Sequence, residues 1–295
     1  MLQERGDRVL NAVINVFLTL IGICTLYPLW YVLICSFSNP SDIALGRVII
    51  WISGFNVEGY KEMLQYTELW VGYANSLLYS TVTTVIGLAL QLTCAYALAR
   101  KGVPGRYGIS LFFLFTMYFT GGMIPTYMLM DSFGWVDTRW VMMIPGCFAV
   151  YSMIIARSYF VSNIPESLFD AAQIDGCGYI RFFFKVVLPL STAVIAIIAL
   201  QNFQSHWNAY MTSKIYLQNE KYFNLMHILE GIQSAAKQFA QGDAVIDADA
   251  MMRAENRAKL LRYTTVIVAA IPMMIAYPFV QKYFVKGVMV GSVKG

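Results

Sequence analysis

Residues 201–210, QNFQSHWNAY, gather the side chains best suited to handle a polar solute in an otherwise apolar chain. Gln201, Gln204 and Asn208 recur at helical spacing, three and then four apart, so they share one face of a helix. His206, Trp207 and Tyr210 add a titratable ring and two aromatic faces. This set can hydrogen-bond and stack, but it holds no recognisable catalytic constellation. The chain contains no G-x-x-x-x-G-K-[ST] motif and no HExxH. No paired carboxylates stand at a telling spacing, and nothing points to a Ser-His-Asp triad. Tyr118 and Tyr127, with Thr120, are weaker candidates of the same kind.

The elements that must position these residues are membrane spans. Of 295 residues, 58% are hydrophobic and 13% charged, against about 25% charge in soluble domains. Net charge is only +4 without a long basic run, which argues against a nucleic-acid partner. Six charge-free runs, 9–41, 69–99, 107–130, 140–156, 186–213 and 263–281, approach or exceed the length needed to cross a bilayer. The first is too long for a signal-peptide core and is expected to remain as a span. Within the runs His206 is the one candidate for ion coupling, so neither fuel nor a proton relay is visible. The five cysteines form no CxxC pair and read as small buried hydrophobes. A polar helix face in lipid must look toward protein or a water-filled path, so the 201–210 cluster reads either as a pathway wall or as interhelical hydrogen bonding.

Lys and Arg orient the spans. Arg5 and Arg8, the turn 100–106 (RKGVPGR), Arg181 with Lys185, and Lys282, Lys286 and Lys294 fall on one side if six spans alternate. That side, with both termini, is expected to be cytoplasmic. The expected layout is an amino-terminal tail 1–8, a membrane-spanning domain 9–286 and a carboxyl-terminal tail 287–295. On the outer side, 56–70 reads as a short surface helix that Asn56 could cap. Residues 214–262 read as an amphipathic helix plus an acidic stretch, either a solvated connector or a docking surface.

Between spans four and five lies a cytoplasmic loop, 161–185. A helix over 165–178 is expected, capped by Ser162 or Asn163, with Pro165 in its first turn and Glu166 favouring its positive end. Ala172 and Gly176 lie four apart and would let another protein approach closely. The aromatic element 179–188 would hold the helix to the membrane underside, and Pro189 would open span five. Gly121 and Gly122 beside Pro125 suggest a broken or a closely packed helix, with packing the expected reading. The alternatives open at this stage are a transport subunit driven by a partner, an ion-coupled secondary carrier, and a membrane-embedded enzyme built on His206.

The loop resembles a known family. Asp170-Ala171-Ala172, Gly176 and then Val186-x-Leu188-Pro189 match the E-A-A-x-x-x-G-x9-I-x-L-P pattern of permease subunits in binding-protein-dependent ABC importers, with Asp for Glu and Val for Ile. FVKGVMVGSVKG (284–295) resembles the carboxyl terminus of the second permease of carbohydrate importers, including the maltose type. TGGMIPTYML (120–129), HWNAY (206–210) and YPFVQKYFVKGVM (277–289) resemble a subgroup for complex oligosaccharides, including uronic-acid oligomers from plant or algal polysaccharides. The resemblance implies an all-α, six-span type I importer fold in the bacterial plasma membrane. The 165–178 helix would be the coupling helix, with Asp170, Ala171, Ala172, Asp175 and Gly176 contacting an ATPase subunit. Lys294 and Gly295 would reach into the ATPase dimer. Gln201, Gln204, His206, Trp207, Asn208, Tyr210, Tyr118 and Tyr127 would line the sugar pathway. Implied partners are a homologous permease, two ATPase subunits that hold ATP and Mg, and an extracytoplasmic sugar-binding protein. No cofactor or metal is expected on this chain.

Overall fold

The structure is a computed structural model that describes residues 5–241 and 248–292, and among them it is helical without a strand. Fifteen α-helices follow in chain order: α1 (Arg5–Ser36), α2 (Pro40–Ala44), α3 (Glu58–Gln65), α4 (Thr67–Ala99), α5 (Arg106–Tyr118), α6 (Met123–Ser132), α7 (Trp140–Met143), α8 (Val150–Asn163), α9 (Glu166–Ile174), α10 (Tyr179–Phe182), α11 (Leu188–Leu190), α12 (Thr192–Trp207), α13 (Tyr210–Tyr216), α14 (Leu225–Gln241) and α15 (Ala248–Ser292). A π-turn, Phe183–Val187, joins α10 to α11, and a 3₁₀ turn, Glu220–Tyr222, precedes α14.

Three helical stretches are long and apolar enough to cross a membrane, Leu10–Ser36, Thr67–Ala99 and Met252–Pro278. Two more expected spans are bent pairs. Arg106–Tyr118 and Met123–Ser132 meet at 107°, and Tyr179–Leu190 and Thr192–Trp207 at 83°. The remaining run, 140–156, is divided between α7 and α8 by a turn that contains Pro145 and Gly146. Three of the six runs are therefore interrupted. Gly121 and Gly122 mark a break and not a packing contact: Gly122 has φ +84°, and a Cβ there would meet nothing within 4 Å. In the fifth run the bend falls at Ser191, two residues after Pro189, which cannot donate to the helix ladder.

The chain divides into two compact units. One holds the residues up to Thr67 with Leu229–Ile271, and the other holds Glu68–Ile228 with the residues from Pro272 onward. In the first, α3 lies against α15. A Cβ on Gly59 would fall 2.5 Å from Thr264 Oγ1, so only glycine admits this approach. Met63 is fully buried there, and Glu62 pairs with Arg257. The expected surface helix 56–70 is thus two elements. Asn56 does accept the Glu58 amide, at 2.6 Å, but Met63 faces protein and Trp70 belongs to α4.

In the second unit α4 is the spine. Its amino-terminal half carries a polar ladder that captures residues 221–225. Asn75 Nδ2 donates to the carbonyls of Lys221 and Phe223, both at 2.9 Å, Tyr79 Oη donates to that of Tyr222 at 3.0 Å, and Ser76 Oγ accepts the Leu225 amide at 2.8 Å. Asp137 Oδ1 accepts the amides of Gln218 and Asn219 at 2.9 and 2.8 Å. Tyr216, Leu217, Asn224 and Leu225 are buried, so the first part of the expected loop 214–262 is anchored in protein at these residues, while 218–221 stay exposed. The amphipathic helix expected after it is α14.

Lower on α4 the break in the fourth run is absorbed. Thr83 Oγ1 donates to the Met143 carbonyl at 3.2 Å and Gln91 Nε2 to the Cys147 carbonyl at 3.1 Å. Asn202 Nδ2 on α12 donates to Gln91 Oε1 at 3.1 Å, and both amides are buried. Backbone released from a helix at membrane depth must find protein partners, and these side chains supply them. Gly87 makes room: its Cβ would sit 2.4 Å from the Cys147 carbonyl oxygen and 3.0 Å from Asn202 Nδ2. Because the first obstacle is backbone, no rotamer change relieves it. Gly87→Ala is expected to destabilise by about 1–3 kcal/mol, as overpacking does, whereas Gly108→Ala, with nothing within 4 Å, is near neutral. Thermal unfolding of the detergent-solubilised protein, with both variants side by side, checks this.

Candidate functional site

The short helix α9 is defined by two backbone constraints. Pro165 disfavours helical geometry in the residue before it, so Ile164 is extended at φ −120°, ψ 93°, and α8 ends. Pro165 itself, at φ −60°, ψ 146°, occupies the N-cap position. The expected caps are corrected: Asn163 closes α8, and its Nδ2 donates to the Tyr159 carbonyl at 3.1 Å. Ala171 and Ala172 favour helix. The far end is a Schellman motif, in which the Gly176 amide reaches the Gln173 carbonyl at 2.9 Å and the Cys177 amide reaches that of Ala172 at 2.8 Å. Gly176 has φ +73°, the left-handed conformation this motif requires, while a Cβ there would meet nothing within 4 Å of its own chain. Its glycine is demanded by conformation before any question of a partner arises.

One side of α9 is clamped. Phe169 is its one buried residue, stacked on Tyr179 at 4.9 Å and edge-on to Phe182 at 5.1 Å. The guanidinium of Arg100, just past α4, lies 3.4 Å from the Phe169 ring centroid, with Tyr96, Phe182 and Tyr179 rings 5.2–5.7 Å away. Arg100 Nε and Nη2 are buried without a hydrogen-bond acceptor, so the aromatic faces carry the solvation of this cation. A desolvated contact of this kind is worth about 2 kcal/mol or more. Next to it, Lys101 Nζ meets Glu166 Oε2 at 2.7 Å and holds that carboxyl below its usual range. The pair is exposed and adds little stability. Phe169, Phe182, Phe183 and Val187 continue into one core with Leu92, Ala95 and Leu98 of α4, Met153, Ala156 and Phe160 of α8, and Val194 and Ile198 of α12. The aromatic element after α9 was expected to rest on the membrane. Instead Phe182 and Phe183 are buried in protein, and Tyr179, Ile180 and Phe184 face outward.

The other side of α9 is open. Asp170, Ala171, Asp175 and Gly176 are exposed, and Ile174 is 88% exposed. Ala172 departs from expectation, since it is half-buried against the core cluster and its small size serves internal packing. Sequence reasoning missed Arg100 and Phe169, which hold the helix, and Ile174, the large apolar group at its open face. Phe169 carried a signal, an aromatic between polar neighbours in a short loop helix. Lys294 and Gly295 lie outside the described residues, and α15 runs through the expected tail boundary to Ser292.

Of the pathway candidates, Gln201, Gln204 and Asn208 are exposed on one side of α12 and its end. His206 is half-buried, with Nδ1 2.9 Å from the Asn202 carbonyl oxygen. Trp207 is corrected. It is fully buried between Phe203, stacked at 5.9 Å, and Tyr73, at 6.1 Å, and presents no surface to a solute. Tyr210 accepts a hydrogen bond from Lys214 Nζ at 2.6 Å. Tyr127 stacks on Tyr216 at 5.5 Å instead of joining the α12 cluster, and Tyr118 is 72% exposed at the end of α5. Among the described residues no group of His, Cys, Asp and Glu could hold a metal ion.

Comparison with known proteins agrees with this arrangement. The family model described as "Binding-protein-dependent transport system inner membrane component" matches residues 2–290. A polygalacturonan/rhamnogalacturonan transport system permease protein, YtcP of Bacillus subtilis (strain 168), is 33% identical over 98% of this chain and 99% of its own length. Protein LplC of the same organism is 31% identical over 100% of this chain and 98% of its own. A chain in the crystal structure of a bacterial ABC transporter involved in the import of the acidic polysaccharide alginate superposes with a TM-score of 0.79 at 28% identity, covering 96% of this chain and 99% of that one. With a match over nearly its whole length, this chain belongs to the binding-protein-dependent ABC importer permeases, as a multi-pass membrane component with the type I importer fold.

Proposed function

We propose that this chain is one of two permeases in an ATP-driven importer for oligosaccharides, and that its cargo is an acidic, uronate-containing fragment of plant or algal polysaccharide. The cargo class rests on its relatives, a polygalacturonan/rhamnogalacturonan transport permease and a transporter involved in the import of the acidic polysaccharide alginate. A homologous permease completes the channel, two ATPase subunits supply ATP and Mg chemistry, and an extracytoplasmic binding protein delivers the sugar. The positive loops put both termini and α9 in the cytoplasm. Lys294 and Gly295 are assigned to the ATPase contact on the same resemblance.

The observation that carries the coupling role is the two-sidedness of α9. Its buried side is locked into the core that also holds α4, α8 and α12, and its open side shows Asp170, Ala171, Ile174 and Asp175. A motor subunit that grips the open side moves three membrane helices through the closed one. No covalent step occurs on this chain. The sugar path runs along Gln201, Gln204 and Asn208, since a polar helix face that its own chain leaves open must meet protein or water inside a membrane.

Three outcomes follow. Gly176→Val and Gly176→Asn separate shape from strain, because Asn tolerates the left-handed conformation and Val does not. In reconstituted importers the Asn variant is expected to keep most sugar uptake, and Val to lose it while ATP hydrolysis continues. Equal loss would show that size at the contact governs. Arg100→Gln and Phe169→Leu, alone and together, are expected to weaken ATPase binding to the permease pair with a coupling energy of about 2 kcal/mol, read from a double-mutant cycle of dissociation constants. Gln204→Leu is expected to lower uptake of oligogalacturonides about tenfold or more, since a polar cargo is left unpaired, with basal ATPase activity unchanged. Uptake assays with oligogalacturonides and neutral maltodextrins in parallel test both the pathway and the cargo class.

A further inference from the structure

The segment that follows α1 folds back on the helix it has just left. Two left-handed glycines, Gly46 at φ +69° and Gly54 at φ +60°, mark its turns. Its polar side is internally tied. The Asn39 amide donates to the Ser53 carbonyl at 2.9 Å, Ser53 Oγ to Asp42 Oδ2 at 2.7 Å, and the Asn56 amide to the Phe37 carbonyl at 2.8 Å. Ile43 and Val48 bury against Ile34 and Cys35. The opposite side is apolar and open: Ile49, Ile50 and Trp51 are 58%, 70% and 72% exposed in sequence. Three consecutive large apolar residues on a rigid loop make poor company for water.

The hydrogen bonding of this tip says what covers it. Tyr27 Oη donates to the Ile49 carbonyl at 3.1 Å, and Trp30 Nε1 donates to the Ile50 carbonyl at 2.8 Å. A tip in water would need no such caps, whereas carbonyls facing lipid have no other source of donors. Both donors belong to the span Leu10–Ser36, none of whose most apolar stretch is buried. That helix, 27 residues or about 40 Å long, exceeds the roughly 30 Å of the hydrocarbon core. About twenty residues counted from Leu10 end near Trp30. The tip therefore hangs beside the helix at the level where hydrocarbon gives way to headgroups, and Tyr27, Trp30 and Trp51 form a local aromatic belt there. Arg47, the nearest charge, turns to Asp42 at 3.4 Å on the polar side and stays clear of the tip.

We propose that residues 49–51 insert into the outer leaflet at the headgroup–acyl boundary, as a lipid-binding tip. The occupant is the bilayer interface, and neither the sugar-binding protein nor the second permease covers the tip. The test places a nitroxide label at position 51 or 50 (Trp51→Cys or Ile50→Cys) in the full importer in nanodiscs, with native cysteines replaced and ATPase activity retained. A label at the exposed polar Ser41 and one at Phe17, exposed within the span Leu10–Ser36, serve as references. Collision with a water-soluble nickel chelate is expected to be about threefold or more lower at 50 and 51 than at 41, while collision with oxygen approaches that at 17. Chelate access equal to that at 41 would put the tip in water and overturn the proposal. An immobilised label shielded from both reagents would give the surface to a protein partner and equally overturn it.

Discussion

A guanidinium packed among aromatic rings joins the carboxyl-terminal end of the long α4 helix to α9, the helix proposed to meet the motor. Arg100 is half-buried, its Nε and Nη2 are shielded from water without an acceptor, and four aromatic rings lie around the guanidinium. An ammonium would fit this site poorly, since a flat, weakly hydrated cation stacks where a compact, strongly hydrated one does not. The same rings, Phe169 and Phe182, belong to the core shared by α4, α8 and α12. One contact thus fixes the attitude of α9 and connects it to the spans. Without it, nine residues capped by a proline and a glycine would be a marginal helix on a tether.

Rigidity at α9 contrasts with the breaks in the spans. Three of the apolar runs are interrupted, at 119–122, 144–149 and Ser191. Each interruption frees backbone groups that lipid cannot satisfy. The 144–149 break is met by Thr83 and Gln91, with Asn202 completing the network. Ser191 is buried with an unpartnered hydroxyl where the bent fifth span turns. Helices that are already broken, with side-chain partners at the break, can change angle at smaller cost than intact ones, which suits a channel that must open alternately to its two sides.

Much of this was legible beforehand, and what was not has physical reasons. Class, span positions, the loop helix and the amphipathic α14 follow from charge-free runs and periodicity, which burial enforces along the chain. The breaks at Gly121–Gly122 and Pro145–Gly146 were harder. Glycine in an apolar run signals close packing or a break equally well, and φ decides between them only in three dimensions. Trp207 looked like a stacking platform by type, yet it packs against Tyr73, 134 positions away in a different helix. Arg100 was counted only as a loop charge that orients the protein. Of its aromatic partners only Tyr96, four positions earlier, is local; those at 169, 179 and 182 lie about 70–80 positions away, and no local pattern connects them to Arg100. The proposed class of cargo is written in neither pattern nor packing and rests on resemblance to relatives alone.

The account turns on the open face of α9 being the motor's grip. The most direct measurement is the rate at which a water-soluble maleimide labels a cysteine placed at Ile174, which is 88% exposed in the chain alone. Labelling is compared between the permease pair and the complete importer, in nucleotide-free and ATP-bound states. The rate is expected to fall sharply when the ATPase subunits are present and to stay low in both states, while a cysteine at exposed Tyr107 labels equally throughout. Equal labelling of position 174 with and without the ATPase subunits would contradict the account.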